Sequence, residues 1–467
     1  MNDLVRKPMT ELSDAYRDGR LSPVEVVDAY LGNIEALEPK LGAFQTVYAD
    51  DARAAAEGAA KAFRSGHRIG PFHGLPFALK DIVDLEGRVT TGGSAVFRDR
   101  ISPVTATIAK RLIAAGGILL GKTKTVEVAM GGWGTNQHMG TPWNPWDLNV
   151  PRTPGGSSAG SGVSVAACMT GCAVGTDTGG SVRLPAAWCG IVGLKVTEGR
   201  LPTDGIIPLS HTLDTPGPMT RTVADTVLMF ETMDGRHPSD TDRDLAGRDG
   251  LFGELNKGVA GLQFGCLSPE ERQGVDADIL EIYDAALDRL RGLGAEIVPF
   301  APPMAFDDMQ DRAGVISASE GYFHHGERYE DMSLSLDEDV RPRVLAGRDI
   351  KARDYVAALV NRQADQTRFL ERMRGLTCIL TPTIATVPVP LNEVDQSSTP
   401  ARFTRAANYL GMCGLSVPMG LTGENLPASL QIMAHGGDEA TAIRIGGAFS
   451  GATEWTCPSF VPLRVLI

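Results

Sequence analysis

Three observations on this chain are compatible with an α/β fold. Segments with strand character alternate with segments of helical spacing from about residue 75 to the C-terminal third. Residues 261–303 hold a strand, helix and strand in succession: GLQFGCL, ADILEIYDAALDRLRGLG and AEIVPFAPP. With 467 residues, 43% hydrophobic and 22% charged, the chain has enough apolar material for a large core. That length fits one large α/β unit or two or three smaller domains, and length does not choose between them.

Residues 1–69 read as helical. Ser22-Pro23-Val24-Glu25 is a capping box with proline at the first helical position, followed at helical spacing by Val26, Val27, Tyr30, Leu31 and Ile34. A second helix is expected from Asp50 or Asp51 through AAAEGAAKAF. In GPFHGLPFALKDIVDLEG, Leu75, Phe77, Leu79, Ile82 and Val83 predict a buried strand interrupted by Lys80-Asp81. A buried lysine is costly unless paired or neutral. Lys80 is therefore either a strand-end lysine bridged to Asp81 or a functional amine.

TATIAKRLIAAG is an amphipathic helix, and GILLGKT a short strand. Residues 186–230 begin helical, cross a proline-punctuated loop region and end in a helix capped near Thr222. The polar stretch from about 234 to 258 reads as an exposed loop or boundary, and 304–374 as mainly helical and charged. CILTPTIATVPVP gives a strand and loop, LGMCGLSVPMGLT a buried glycine-rich segment, and LPASLQIMA a strand.

A formal charge of −13 without a Lys/Arg-rich block disfavours a nucleic-acid partner. The N-terminus, MNDLVRKPMTEL, has no apolar stretch of a secretory signal, so a cytoplasmic chain is expected. The uncharged run Thr153–Thr176 is long enough to span a bilayer, but its Gly, Ser and Thr content predicts a buried helix and strand, and no membrane association is expected. Seven scattered cysteines (168, 172, 189, 266, 378, 413 and 457) read as reduced core residues. Apolar neighbours argue against a metal at Cys168, Cys172 and Cys189, so neither metal nor cofactor is expected.

The stretch Thr153–Leu184 carries no ionisable group before Asp177 and is bracketed by Gly155–Gly162 and Gly179-Gly180-Ser181. Glycines there allow close backbone approach, and serines place hydroxyls in a dry setting. Three familiar patterns mislead. Gly116 to Thr123 satisfies a Walker A expression, but its intervening residues read as a strand, not a phosphate loop. Gly156-Ser157-Ser158-Ala159-Gly160 fits a nucleophile elbow, yet the preceding NPWDLNVPRTP is turn-like where the elbow needs a strand. Asp177-Thr178-Gly179 has no second aspartic-protease triplet to pair with. His73 and His138 lie in loop-like contexts with nothing marking either as a base, which makes Lys80 the better candidate to activate a serine.

Taken together, GLPFALKD (Gly74–Asp81), PGGSSAGSG (Pro154–Gly162), GTDTGGSVRLPAAWCGIVGLK (Gly175–Lys195) and the C-terminal GLSVPMG and LPASLQIMA resemble the amidase signature family of serine amidohydrolases. The likeness runs from about 10 to 232, weakens from 235 to 370, and resumes from 376. It implies one α/β domain over 1–467, a mixed sheet with helices on both sides. N-terminal helices would occupy 1–69, a catalytic core 70–232, a variable segment 235–370 and the returning core 376–467.

The resemblance also implies a nucleophile at Ser181, a bridging serine at Ser157 with a cis peptide bond, and a base at Lys80. It places an oxyanion hole at the amides of Thr178, Gly179, Gly180 and Ser181, and supporting roles at Asp177, Arg183 and Ser158. Ala159 and Val196 depart from the residues frequent in the family, glycine and proline. Burial would push the Lys80 pKa down until it could accept a proton relayed through Ser157, and a helix starting near Ser181 would add its positive end.

The expected substrate is a small molecule with a linear amide-type bond, with Met130 and Trp133, then Trp188 and residues near 304–330, as candidate lining. The segment GIIPLSHTLDTPGPMTRTVAD resembles stand-alone hydrolases of small or aryl amides more than the A-type component of an amidotransferase. A non-catalytic binding protein would be expected to have lost Lys80 or a serine. Homodimers are common among relatives.

Overall fold

Eleven strands pair into one mixed sheet in the computed structural model, which describes residues 3–235 and 250–453. In chain order they are β1 (Phe44–Val47), β2 (Pro76–Lys80), β3 (Ile118–Thr123), β4 (Cys172–Asp177), β5 (Val192–Lys195) and β6 (Thr215–Thr220), then β7 (Gln263–Leu267), β8 (Glu296–Phe300), β9 (Cys378–Pro382), β10 (Cys413–Leu421) and β11 (Pro427–Ala434). Their spatial order is β1-β3-β2-β4-β6-β5-β10-β11-β9-β7-β8. Strands β3, β2 and β4 are parallel, the middle from β4 to β9 is antiparallel, and β9, β7 and β8 are parallel again. The largest hydrophobic cluster, from Val5 to Phe449, is joined by two smaller ones, around Val126 and around Trp133, and with one continuous sheet the fold is a single α/β domain with helices on both faces.

Local sequence signals account for many of the elements. Both arms of the Ser22–Glu25 capping box form, and the helix Pro23–Leu41 ends at Gly42 in the left-handed conformation. The helix Ala49–Arg64 starts one residue before the expected aspartates. The helix Val223–Met233 is capped by Thr222, whose side chain accepts from the Asp225 N–H. The long uncharged run resolves into the helix Ala159–Ala166 and strand β4, with every residue buried. The Walker-like residues Ile118 to Leu120 belong to β3.

Three strands depart from the sequence reading. β1 interrupts the all-helical N-terminus, where FQTV pairs antiparallel with β3. β5 and β6 fall in the stretch read as helix and loop. Pro216 and Pro218 speak against a central strand, but β6 pairs with β5 only through Met219 and Thr220, which leaves the prolines bordered by a ladder on one side. The boundary reading at 234–258 falls largely, and the seventh cysteine wholly, outside the described residues. The six described cysteines are free and buried, and no described helix is long and apolar enough to cross a membrane.

Candidate active site

Parallel pairing of β2 with β4 brings residues 77 positions and more apart to one end of the sheet. Lys80, the last residue of β2, and Thr176, near the end of β4, reach the same point. Lys80 Nζ donates to Thr176 Oγ1 at 2.8 Å and to Ser157 Oγ at 2.7 Å. The Lys80–Asp81 bridge held open by the sequence does not form, because Asp81 pairs with Lys122 at 2.9 Å instead. Lys80 is 0% exposed, and burial lowers its pKa to about 7, opposed by the negative charges of Asp214 and Asp177.

Ser157 sits on a loop that only glycine permits. A side chain at Gly156 would come 2.6 Å from the Gly131 carbonyl, and Gly155 has φ +78° with the Leu184 backbone 2.9 Å from any added Cβ. The Gly156–Ser157 peptide is cis. The Ser157 carbonyl accepts from Val126 N–H and Thr125 Oγ1. Ser158 N–H donates to the Ser181 carbonyl at 3.2 Å, while its hydroxyl exchanges hydrogen bonds with the Thr176 backbone. Ser158 thus ties both serine-bearing loops to β4.

The loop from Thr178 to Ser181 is shaped by a buried ion pair. Asp177 and Arg183, both without side-chain exposure, meet at 2.8 Å. Burial alone would raise the Asp177 carboxyl, but Arg183 and the surrounding donors bring it down to about 2. Asp177 also accepts from the N–H groups of Gly180 (2.7 Å) and Val182 (3.1 Å), and from Asn408 Nδ2. Within the expected oxyanion set the four residues are placed differently. Gly180 N–H points to the Asp177 carboxylate, and Gly180 is absent from the cavity wall that Thr178, Gly179 and Ser181 line. The helix expected near Ser181 begins at Arg183 and is six residues long.

A cavity of about 180 Å³ opens over Ser181. Ser181 is 8% exposed, whereas Ser157 is 0%, so of the two only Ser181 is accessible. Met130 lines this space, as do Ala313, Gly314, Ser317 and Ala318 from the expected 304–330 region. Trp133 and Trp188 do not. They stack on each other at 5.6 Å, their ring nitrogens bound to the Ser398 and Thr386 carbonyls. A smaller cavity of about 90 Å³ adjoins it through Ala129, Thr178 and Leu209 and is lined by Thr176 and Asp214. His73 stacks on Phe63 and His138 is exposed; neither lines these cavities.

Several site residues escaped the sequence reading. Asp214 receives Thr178 Oγ1 at 2.5 Å and the N–H groups of Leu209 and Ser210 at 2.9 Å. Arg183 additionally donates to Gln431, Asn408 and the Thr404 carbonyl. Arg343 and Arg405 line the main cavity. Of these, only Gln431, within the apolar LPASLQIMA, carried a local signal of burial.

A family model described as Amidase matches residues 25–443, and the chain belongs to the amidase signature family. It is 34% identical to the A-type component of the glutamyl-tRNA(Gln) amidotransferase of Geobacter metallireducens, over 95% of this chain and 97% of the other. Identity to the 2-amino-5-chloromuconic acid deaminase of Comamonas testosteroni is also 34%, over 94% of each chain. Among solved structures, a bacterial aryl acylamidase of the amidase signature family superposes with a TM-score of 0.86 at 25% identity, covering 98% of both chains.

Proposed function

We propose that the protein hydrolyses a linear amide-type bond of a small molecule through an acyl-enzyme on Ser181. The observation that carries this reading is the 2.7 Å contact between Lys80 and Ser157, buried beside a cavity whose accessible hydroxyl is Ser181. Neutral Lys80 accepts the Ser157 proton while Ser157 takes that of Ser181. Ser181 Oγ then bonds to the carbonyl carbon, and the oxyanion is received by the amides of Thr178, Gly179 and Ser181. The relayed proton passes to the leaving nitrogen as the C–N bond breaks, releasing ammonia or an amine. Water attacks the ester along the reverse relay and frees the acid.

Asp177, Arg183 and Ser158 hold these groups in register. The aryl acylamidase and the chloromuconic acid deaminase, both acting on small molecules by name, support this choice. A cytoplasmic setting is part of the reading and is in keeping with six buried free cysteines.

A second reading, the A-type component of an amidotransferase delivering ammonia to a partner, is favoured by identity to such proteins along nearly the whole chain. A panel of amides, ureas and hydrazides, with ammonia or amine release measured on the isolated chain, separates the two. Turnover by the chain alone that disappears in Ser181→Ala supports the hydrolase. Turnover only with a partner added supports the amidotransferase component, and turnover untouched by Ser181→Ala refutes both.

A further inference from the structure

Among the described residues, the wall of the cavity over Ser181 holds two guanidinium groups and no carboxylate. Arg405, from the helix Thr404–Tyr409, uses one N–H on the Gln310 carbonyl at 3.2 Å. Arg343, from the helix Arg341–Leu345, donates to the Met130 carbonyl at 3.2 Å and to the Gln396 carbonyl and side chain at 2.9 and 2.6 Å. All of these acceptors are neutral. Among the described residues neither arginine forms an ion pair, whereas Arg183, Arg312 and Arg402 each meet a carboxylate.

Glycines make room for both groups. An added Cβ would lie 3.3 Å from Arg405 Nε at Gly179, 3.4 Å from Arg405 Nη1 at Gly314, and 2.9 Å from Arg343 Nη1 at Gly131. The two cations also feel each other. Burial lowers Arg405 to about 10, Arg343 adds to that shift, and Asp311 opposes it without lining the cavity. Burial lowers Arg343 as well, countered by Asp339 and Asp337, which are likewise outside the cavity wall.

Two arginines held close together, partly dehydrated and without a carboxylate partner, are costly unless something anionic joins them. An arginine fork matches the geometry of a carboxylate. Ser317, Ser398 and Thr399 place hydroxyl-bearing residues in the same wall. We propose that this cavity selects small amides that carry a free carboxylate, received by Arg405 with Arg343 supplying the second positive charge. The proposal builds on acylation at Ser181, and it narrows the substrate to anionic amides.

The test compares kcat/KM for monoamides of three- to five-carbon dicarboxylic acids with that for neutral aliphatic monoamides of the same chain length. It is run on the wild type, Arg405→Met, Arg405→Lys and Arg343→Met. A charge-assisted contact predicts a preference for the acid of about tenfold or more. The preference collapses toward parity in Arg405→Met, chiefly through KM, and is partly kept by Arg405→Lys. Succinate and glutarate should slow fluorophosphonate labelling of wild-type Ser181 and raise its melting temperature.

Equal or better use of the neutral amides, with no protection by the dicarboxylates, overturns the anionic-substrate proposal and leaves the hydrolase reading standing. Conversely, an inert Ser181 with no amide hydrolysed, but a dicarboxylate-induced rise in Tm that disappears in Arg405→Met, overturns the hydrolase reading and keeps the anion site.

Discussion

Lys80 Nζ and Ser157 Oγ lie 2.7 Å apart in a place where neither residue is exposed, and among the described residues Lys80 forms no ion pair. The other two fully buried lysines differ. Lys122 meets the Asp81 carboxylate at 2.9 Å, and Lys195 donates to two backbone carbonyls. A lysine surrounded by hydroxyls gains little from its charge, and burial brings it to about 7. Because the free amine is the active form, kcat/KM should rise with pH through an acidic limb near 7 and level off above it.

Lys80→Met should lower kcat by about 10² to 10⁴. Its effect on stability follows from linkage. The folded pKa lies below the unfolded value, so the unfolded chain binds the extra proton between about 7 and 10.5, and wild-type stability from this group falls as pH drops through that window. Denaturant titrations of the two proteins should therefore diverge across that range, with the variant losing less. A pH profile without a limb near 7 would remove Lys80 from the base role.

The two serines should separate by chemical labelling. Ser181 faces the cavity and Ser157 does not. A fluorophosphonate should add its phosphonyl group to Ser181 with loss of fluoride, read as a mass shift on the peptide containing residue 181. Ser181→Ala should show no adduct. Ser157→Ala should still be labelled at Ser181, about 10²-fold more slowly, since it loses the relay and not the nucleophile. An adduct on Ser157 in the wild type would reverse the assignment.

What the sequence disclosed about this site was its local part. The glycine brackets around Ser157 and Ser181 announced close packing, and the charge-free run between them announced burial. The capping box at Ser22 and the strand, helix, strand succession at 261–303 were legible because each is decided by neighbours in the chain. β6 was not legible, because its prolines are tolerated only where β5 stops short. Asp214, Asn408, Gln431 and Arg405 were not legible either, since their roles arise from the approach of β4, β6 and β11 and the helix Thr404–Tyr409. The bond from Gly180 N–H to Asp177 similarly depends on three-dimensional loop shape, which a motif does not encode.

The Asp177–Arg183 pair should matter for the fold as much as for the reaction. Both side chains are fully buried, and Asp177 fixes the Gly180 and Val182 amides at once. Arg183→Met leaves that carboxylate unpaired in the core, a change that costs about 3–5 kcal/mol, measurable as a lowered denaturation midpoint at pH 7. The folded carboxyl titrates at about 2, below its ordinary 3.8. Its contribution is thus complete above about pH 4 and is lost as pH falls toward 2. The wild type and Arg183→Met should therefore converge in stability at the acid end, and parallel curves there would contradict this account.

Asp214 offers a way to move the Lys80 limb without touching Lys80. Burial raises the Asp214 carboxyl, while Thr178 Oγ1 and the Ser210 and Leu209 amides favour its ionised form. That negative charge in turn raises Lys80, against the larger effect of burial. Asp214→Asn removes the charge but keeps an acceptor for Thr178, so the free amine should form at lower pH and the acidic limb of kcat/KM should shift below 7. Thr178→Val removes the hydroxyl and keeps the charge, so its limb should stay near that of the wild type even if the rate drops. A limb that stays in place in Asp214→Asn would mean that the carboxyl is already protonated across the working range, and that Lys80 is set by burial and Asp177 alone.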